Sequence, residues 1–193
     1  MKLNVMGVVL AGGLSSRFGS PKPFAKTQGK FFYEFAVEAI SSLVDETIVV
    51  TNEGLQDQFI NRGVSCLVDV SMFRQQGPLA GLYTAMEHRE ADWYIVVPSD
   101  LPRMTTAVFT ELKANACPSC DAIIPMVNEV AEPLVGLYAA QVKPVIKRQL
   151  KGGKRSVHKM LNELRVRYVR FDDAEAFQNI NTPADYECME RED

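Results

Sequence analysis

Two cations stand on a long loop of small residues, Leu10-Ala-Gly-Gly-Leu-Ser-Ser-Arg-Phe-Gly-Ser-Pro-Lys22, directly after an apolar, β-branched run. Small residues such as Ala11, Gly12 and Gly13 let backbone N–H groups approach phosphate oxygens. Arg17, with its planar fork, and Lys22, as a point charge, can neutralise a triphosphate. The loop is not a Walker loop, which needs GxxxxGK[ST]. Nor is it a dinucleotide fingerprint, whose GxGxxG leads at once into a helix. Glycines that merely turn the chain would not explain two cations placed here. A third group, Asp100, lies in Val97-Pro-Ser-Asp-Leu-Pro102, just beyond another apolar run. A carboxylate at such a strand end suits Mg²⁺, a hard cation that takes a few carboxylates plus phosphate oxygens and water. The plainer alternative is an Asp that only shapes its loop. Asn52 closes a third run, Ile48-Val-Val-Thr-Asn52, and either contacts a base or ribose or forms a turn.

Such groups need elements to hold them. Val5–Leu10, Thr47–Thr51, Val64–Val68 and Trp93–Val97 read as strands, the first and last continuous enough to be buried on both faces. Phe31–Leu43, Gln56–Asn61, Leu79–Glu90 and Thr105–Ala116 carry helical periodicity between and after them. Further along, Ala122–Met126, Leu134–Tyr138 and Val166–Phe171 read as strands. Val142–Leu150 and Val157–Leu164 read as helices, and Thr182-Pro183 opens a last one. Repeated strand–helix units predict an α/β fold, a mostly parallel sheet covered by helices on both faces. In such sheets ligands sit beyond the carboxyl ends of the strands, where the loops above lie. No linker or repeat interrupts residues 1–193, so one domain is expected. Its half at 1–104 would bind nucleotide and its half at 105–193 a second substrate.

Composition narrows the class. The chain has 193 residues, 47% apolar and 23% charged, as soluble globular proteins do. A net charge of −3 argues against a general nucleic-acid binder. No apolar run approaches the length of a membrane span, and no secretory signal opens the chain, so a cytoplasmic protein with reduced thiols is expected. Cys117-Pro-Ser-Cys120 is a lone CxxC without the second ligand pair of a zinc site. Residues 143–170 hold ten Lys and Arg against one acidic residue, Glu163. That stretch is either a solvated surface or a face for an anionic ligand.

The first loop resembles the LAGGxSxRFGxxK signature of the MobA-like nucleotidyltransferases, and among them of the molybdenum cofactor guanylyltransferases. Gly77-Pro-Leu-Ala-Gly81, Pro98-Ser-Asp-Leu-Pro102 and Asn179-Ile-Asn-Thr-Pro183 resemble three further segments of that family, in the same order. The resemblance implies a three-layer, Rossmann-like fold of the nucleotide-diphospho-sugar transferase type. It implies GTP and molybdopterin as substrates and molybdoenzymes or their chaperones as partners. It makes Asp100 the metal ligand, sets Asp69 near the guanosine, and puts Arg155, Ser156, Asn179 and Asn181 on the pterin side. Leu10, Ala11, Gly12, Gly13, Lys22, Asn52, Asp69 and Asp100 then form the nucleotide site. The basic stretch gains a candidate purpose, because the acceptor ends in a phosphate. Related families usually read LAAG where this chain reads Leu10-Ala-Gly-Gly13, and the one methyl fewer in the Gly12-Gly13 pair favours guanine.

The reaction implied is attack by the acceptor's phosphate on the α-phosphorus of GTP, with loss of pyrophosphate. A phosphate with a second pKa near 6 is already ionised, so no general base is needed. Neither His88 nor His158 lies near a motif, in keeping with that. Catalysis would rest on positioning and on charge neutralisation by Lys22, Arg17 and Mg²⁺. Two other readings stand beside this one. The same scaffold could use CTP or a sugar phosphate, or the protein could be a non-catalytic GTP-binding partner in cofactor insertion.

Overall fold

The computed structural model describes residues 3–13 and 18–192. The chain opens with strand β1 (Val5–Leu10) and a short hairpin, β2 (Lys26–Thr27) and β3 (Lys30–Phe31). Helix α1 (Phe32–Ser41), β4 (Glu46–Thr51), α2 (Glu53–Ile60) and β5 (Cys66–Val68) follow. Next come α3 (Pro78–His88), β6 (Trp93–Pro98) and α4 (Thr106–Ala114). The later elements are β7 (Ala122–Val127), β8 (Val130–Ala131), β9 (Gly136–Ala139), α5 (Lys143–Lys151), α6 (Val157–Leu161), β10 (Val166–Phe171) and α7 (Pro183–Glu192).

Across the sheet the order is β10-β7-β9-β6-β1-β4-β5, and β8 pairs with β7. β1 sits near the middle, parallel to β6 on one side and to β4 on the other. Its alternate residues feed two cores. Val5 and Val9 meet Tyr33, Ala36 and Ile40 of α1, Phe59 of α2 and Phe109 of α4. Met6 and Val8 face the other way, toward Leu79, Leu82 and Met86 of α3 and Ile146 and Leu150 of α5. Burial on both faces explains why β1 and β6 are continuous apolar runs. Each such side chain withdrawn from water stabilises the fold by about 2 kcal/mol. The three-layer α/β architecture expected from the strand–helix alternation is therefore present.

The sheet departs from a wholly parallel one at β9. That strand runs antiparallel to both β6 and β7, between them. The cause is local. Asn128 and Glu129, at φ 48° and 64°, turn the chain back on itself within two residues after β7. So tight a turn can only return an antiparallel strand, since a parallel one needs a long crossover. The hairpin β2–β3 was not expected, and α6 ends at Leu161 rather than at residue 164. The thiols differ too. Cys117 and Cys120 are disulfide-bonded, whereas reduced cysteines were expected. Their spacing brings the two Cα atoms to 5.4 Å, and Cys120 N–H donates to the Cys117 carbonyl. No helix among the described residues is long and apolar enough to cross a membrane.

Two positions carry measurable tension or support. A Cβ on Gly136 would lie 2.9 Å from the Ile123 carbonyl oxygen and 2.7 Å from Ile124 Cδ1. The Ile123 carbonyl is sheet backbone and cannot rotate away. Gly136→Ala should therefore cost about 1–3 kcal/mol, the range for overpacking, and lower the thermal midpoint accordingly. At the start of β7, the Asp121 carboxylate accepts hydrogen bonds from the Arg165 guanidinium at 2.8 and 3.0 Å, from Arg165 N–H at 2.8 Å and from Gln141. Arg165 thus lowers the Asp121 pKa from 3.8 to about 2. A depressed carboxylate stabilises the fold above its unfolded pKa and loses that contribution as pH falls toward its folded one. Asp121→Asn should cost about 1 kcal/mol at pH 7 after allowance for water screening, and this cost should vanish between about pH 4 and pH 2 in acid-unfolding titrations.

Candidate active site

The carboxyl ends of β1, β4, β5 and β6 open onto one cavity of about 960 Å³. Its floor is the loop after β1, which the backbone holds closely. Ala11 N–H donates to the Val50 carbonyl at 2.8 Å, and Ser99 N–H donates to the Leu10 carbonyl at 3.0 Å. Thr51 Oγ1 donates to the Ala11 carbonyl and Asn52 Nδ2 to the Gly12 carbonyl. Leu10, Gly12 and Gly13 line the cavity, while Ala11 is 1% exposed beneath it. Both backbone polar groups of Ala11 are engaged inside the protein, so its contribution to the site is shape. Arg17 lies outside the described residues.

Lys22 opens a 3₁₀ turn flanked by Pro21 and Pro23. Its side chain is only 13% exposed and reaches across the cavity floor. Nζ donates to Asp100 Oδ2 at 3.2 Å and to Asn181 Oδ1 at 2.6 Å. Three separate sequence segments therefore meet at one ammonium. Asp100 follows β6 by two residues, and its carbonyl accepts Ile180 N–H at 3.0 Å, tying the two loops together. Asn181 is fixed by the cap of α7. The Asp185 carboxylate accepts N–H bonds from Asn181 and Thr182, both at 2.8 Å, and Thr182 Oγ1 accepts Asp185 N–H. Those N–H groups, Asn181's foremost, hold the Asp185 carboxyl below the usual carboxylate range.

Asp69 stands at the far end of the cavity, after the edge strand β5. Burial pushes its carboxyl pKa up, and a hydrogen bond from Gln75 N–H at 3.3 Å partly offsets this. Asn52 lines the same end, its amide nitrogen occupied by Gly12. The GPLAG segment caps and begins α3. Gly77 sits at φ 82°, a conformation that favours glycine, with Pro78 at the first helical position. A Cβ on Gly81 would press to 2.8 Å from Leu10 Cδ2, so this glycine lets α3 lie close against the loop.

Arg155, Ser156, Asn179 and Asn181 all line the cavity as well. Ser156 Oγ also accepts Lys159 N–H as the N-cap of α6. The basic stretch as a whole does not turn toward the cavity. Lys143 pairs with Glu87, Arg148 with Glu163, Arg165 with Asp121 and Arg170 with Glu129. Of its ten Lys and Arg only Arg155 reaches the cavity wall, joined there by His158. His158 stands far from every motif in sequence, and α6 brings it there. Glu132 lines the cavity within reach of His158 and was not anticipated. It lies between two short strands, where neither periodicity nor a motif marks it.

Comparisons with known proteins agree with this geometry. The family model described as MobA-like NTP transferase domain matches residues 7–168. A probable molybdenum cofactor guanylyltransferase of Bacillus cereus is 36% identical over 187 residues, covering 93% of this chain and 92% of its own. One from Bacillus licheniformis is 36% identical over 95% of both chains. Among solved structures, molybdopterin-guanine dinucleotide biosynthesis protein A from Archaeoglobus fulgidus superposes with a TM-score of 0.81 at 28% identity, over 96% of this chain and 97% of that one. A CMP:2-keto-3-deoxy-manno-octonic acid synthetase shares the fold alone, with a TM-score of 0.76 at 15% identity over 97% of both chains. The cavity at the strand ends and the four motifs that line it thus have a common explanation: the chain belongs to the MobA-like NTP transferase family and is a nucleotidyltransferase.

Proposed function

We propose that this enzyme transfers GMP from GTP to the terminal phosphate of molybdopterin, yielding the guanine dinucleotide form of the cofactor and pyrophosphate. The observation that carries this reading is the meeting of Lys22, Asp100 and Asn181 on the cavity floor. It joins the phosphate loop to the segment that bears the acceptor side, as a transfer between two phosphorylated molecules requires. The names of the relatives supply the two substrates.

In the proposed reaction an acceptor phosphate oxygen forms a bond to the α-phosphorus of GTP. The bond from that phosphorus to the α–β bridging oxygen breaks, and pyrophosphate leaves with the electron pair. The attacking phosphate is ionised at neutral pH, so the protein need not remove a proton. Its task is to hold two polyanions in line and spread their charge. Lys22 faces the phosphates from the loop, and Arg155 receives the acceptor's phosphate from the other end. Asp69 accepts the N–H groups of guanine, and Gly13 leaves room for the base.

The donor set fits Mg²⁺. Asp100 Oδ2 and Asn181 Oδ1 are hard oxygens converging on one cation, the Lys22 ammonium. Among the described residues no three His, Cys, Asp or Glu side chains cluster, so phosphate oxygens and water would complete the shell, as Mg²⁺ commonly prefers. Asp100 would hold the ion, which when bound neutralises developing charge on the phosphates.

Asp100→Asn and Lys22→Ala should each lower kcat by about 10²–10³-fold, measured as pyrophosphate release from GTP, Mg²⁺ and molybdopterin. Normal Mg²⁺-dependent turnover by Asp100→Asn would remove that residue from the metal role. Among the described residues a Cβ added at Gly13 meets nothing within 4 Å. Gly13→Ala should therefore leave the thermal midpoint unchanged while raising the KM for GTP about tenfold, the effect of one methyl against a bound base. Turnover of the wild-type enzyme with CTP alone would overturn the choice of guanine, and binding of GTP without pyrophosphate release would overturn catalysis.

A further inference from the structure

Glu132 has a carefully fixed backbone and an unoccupied carboxylate. The Asn128–Glu129 turn sends the chain back along β7, and Glu132 N–H then donates to the Pro125 carbonyl at 3.0 Å. Its own carbonyl accepts Val135 N–H at 3.0 Å. The next carbonyl, that of Pro133, accepts the hydroxyl of Tyr138, a fully buried side chain in β9. The carboxylate itself makes no hydrogen bond or ion pair among the described residues, yet it is half-buried in the cavity wall. Burial pushes its pKa up, and the charge of His158 partly offsets this. Burying a charged group costs free energy that His158 repays only in part, and a ligand could repay the rest.

By strand order, Glu132 lies on the β7 side of β6, and Asp69 lies three strands away on the other. At about 4.8 Å per strand, the two carboxylates are roughly 20 Å apart across the sheet. Lys22 and Asp100 lie between them. Asp69 has its counterpart in guanine, which presents a ring N–H beside an exocyclic amino group. The pterin ring presents the same pair of donors, because both heterocycles contain a 2-amino-4-oxopyrimidine.

We infer that Glu132 binds the acceptor's heterocycle, its carboxylate accepting the ring N–H and the exocyclic amino group of a 2-amino-4-oxopteridine. The cavity then recognises one donor pattern twice, once at each end. The inference rests on the acceptor proposed above. A carboxylate that pairs both donors rejects a ring lacking one of them, since the partner left unpaired in a buried site is costly.

Glu132→Gln keeps the shape and removes one acceptor oxygen. It should raise the KM for molybdopterin at least tenfold, with kcat and the KM for GTP within twofold of wild type. An unchanged KM for molybdopterin, or a rise confined to GTP, overturns the assignment. A second measurement does not need turnover. Fluorescence titration should show wild type binding 6-carboxypterin at least tenfold more tightly than 6-carboxylumazine, whose exocyclic amino group is replaced by oxygen, and Glu132→Gln should lose that preference. Equal affinities in wild type overturn it. Failure of wild type to transfer GMP, with the pterin preference intact, would refute the proposed reaction and leave the role of Glu132 standing.

Discussion

An ammonium held between a carboxylate and an amide oxygen, and mostly withdrawn from water, cannot be left with either partner missing. Lys22 is in that position, with Asp100 on one side and Asn181 on the other. Removing a partner would leave the ammonium's charge less compensated in a partly desolvated position, so the three side chains hold one another in place. The rest of the architecture serves that contact. β1 delivers the loop, β6 delivers Asp100, and the Asp185 cap on α7 fixes Asn181. The proline turn around residue 22 and the close seat of α3 at Gly81 restrict the loop from two further directions.

The sheet has an uneven construction that matches this task. From β6 through β1 and β4 to β5 the strands are parallel, so their carboxyl ends line up along one edge. Past β6, the antiparallel β9 brings its starting end to the same edge. Residues 132–135 therefore join the cavity although they precede their strand rather than follow it. The result is one continuous cleft built from two kinds of connection, with a rigid hairpin wall on one side and helix-capped loops on the other.

Much of this was readable from sequence, for physical reasons. Val5–Leu10 and Trp93–Val97 announce themselves because a strand covered on both faces has no polar side to alternate. Lys22, Asp100 and Asn181 stand just beyond strand ends or at a helix start, where loop residues gather around ligands. What could not be read depends on chain reversal and on distant partners. Gly136–Ala139 is too short and too evenly apolar to declare its direction. The hairpin of β2 and β3 has two residues per strand and no period at all. The basic stretch could not be divided between solvated surface and cavity wall from sequence because its counter-charges, Glu87, Asp121 and Glu129, come from elsewhere in the chain. Glu132 and His158 escaped notice since only the fold brings them to the cavity wall.

The distance in sequence between the members of the central contact has a consequence for biogenesis. Lys22 and Asn181 are 159 residues apart. A ribosome adding about 5–20 residues per second needs on the order of ten seconds to span that gap. Throughout that interval the loop after β1 exists without the amide that meets Lys22. The earlier strands can pair as they emerge, but the last helix must dock before the cavity floor is whole. A nascent or truncated chain that stops short of Asp185 thus keeps most of its core yet lacks the cap that fixes the amide beside Lys22. The Lys22–Asn181 contact is therefore a late event in the folding of each molecule, arriving with the C-terminal cap rather than with the sheet.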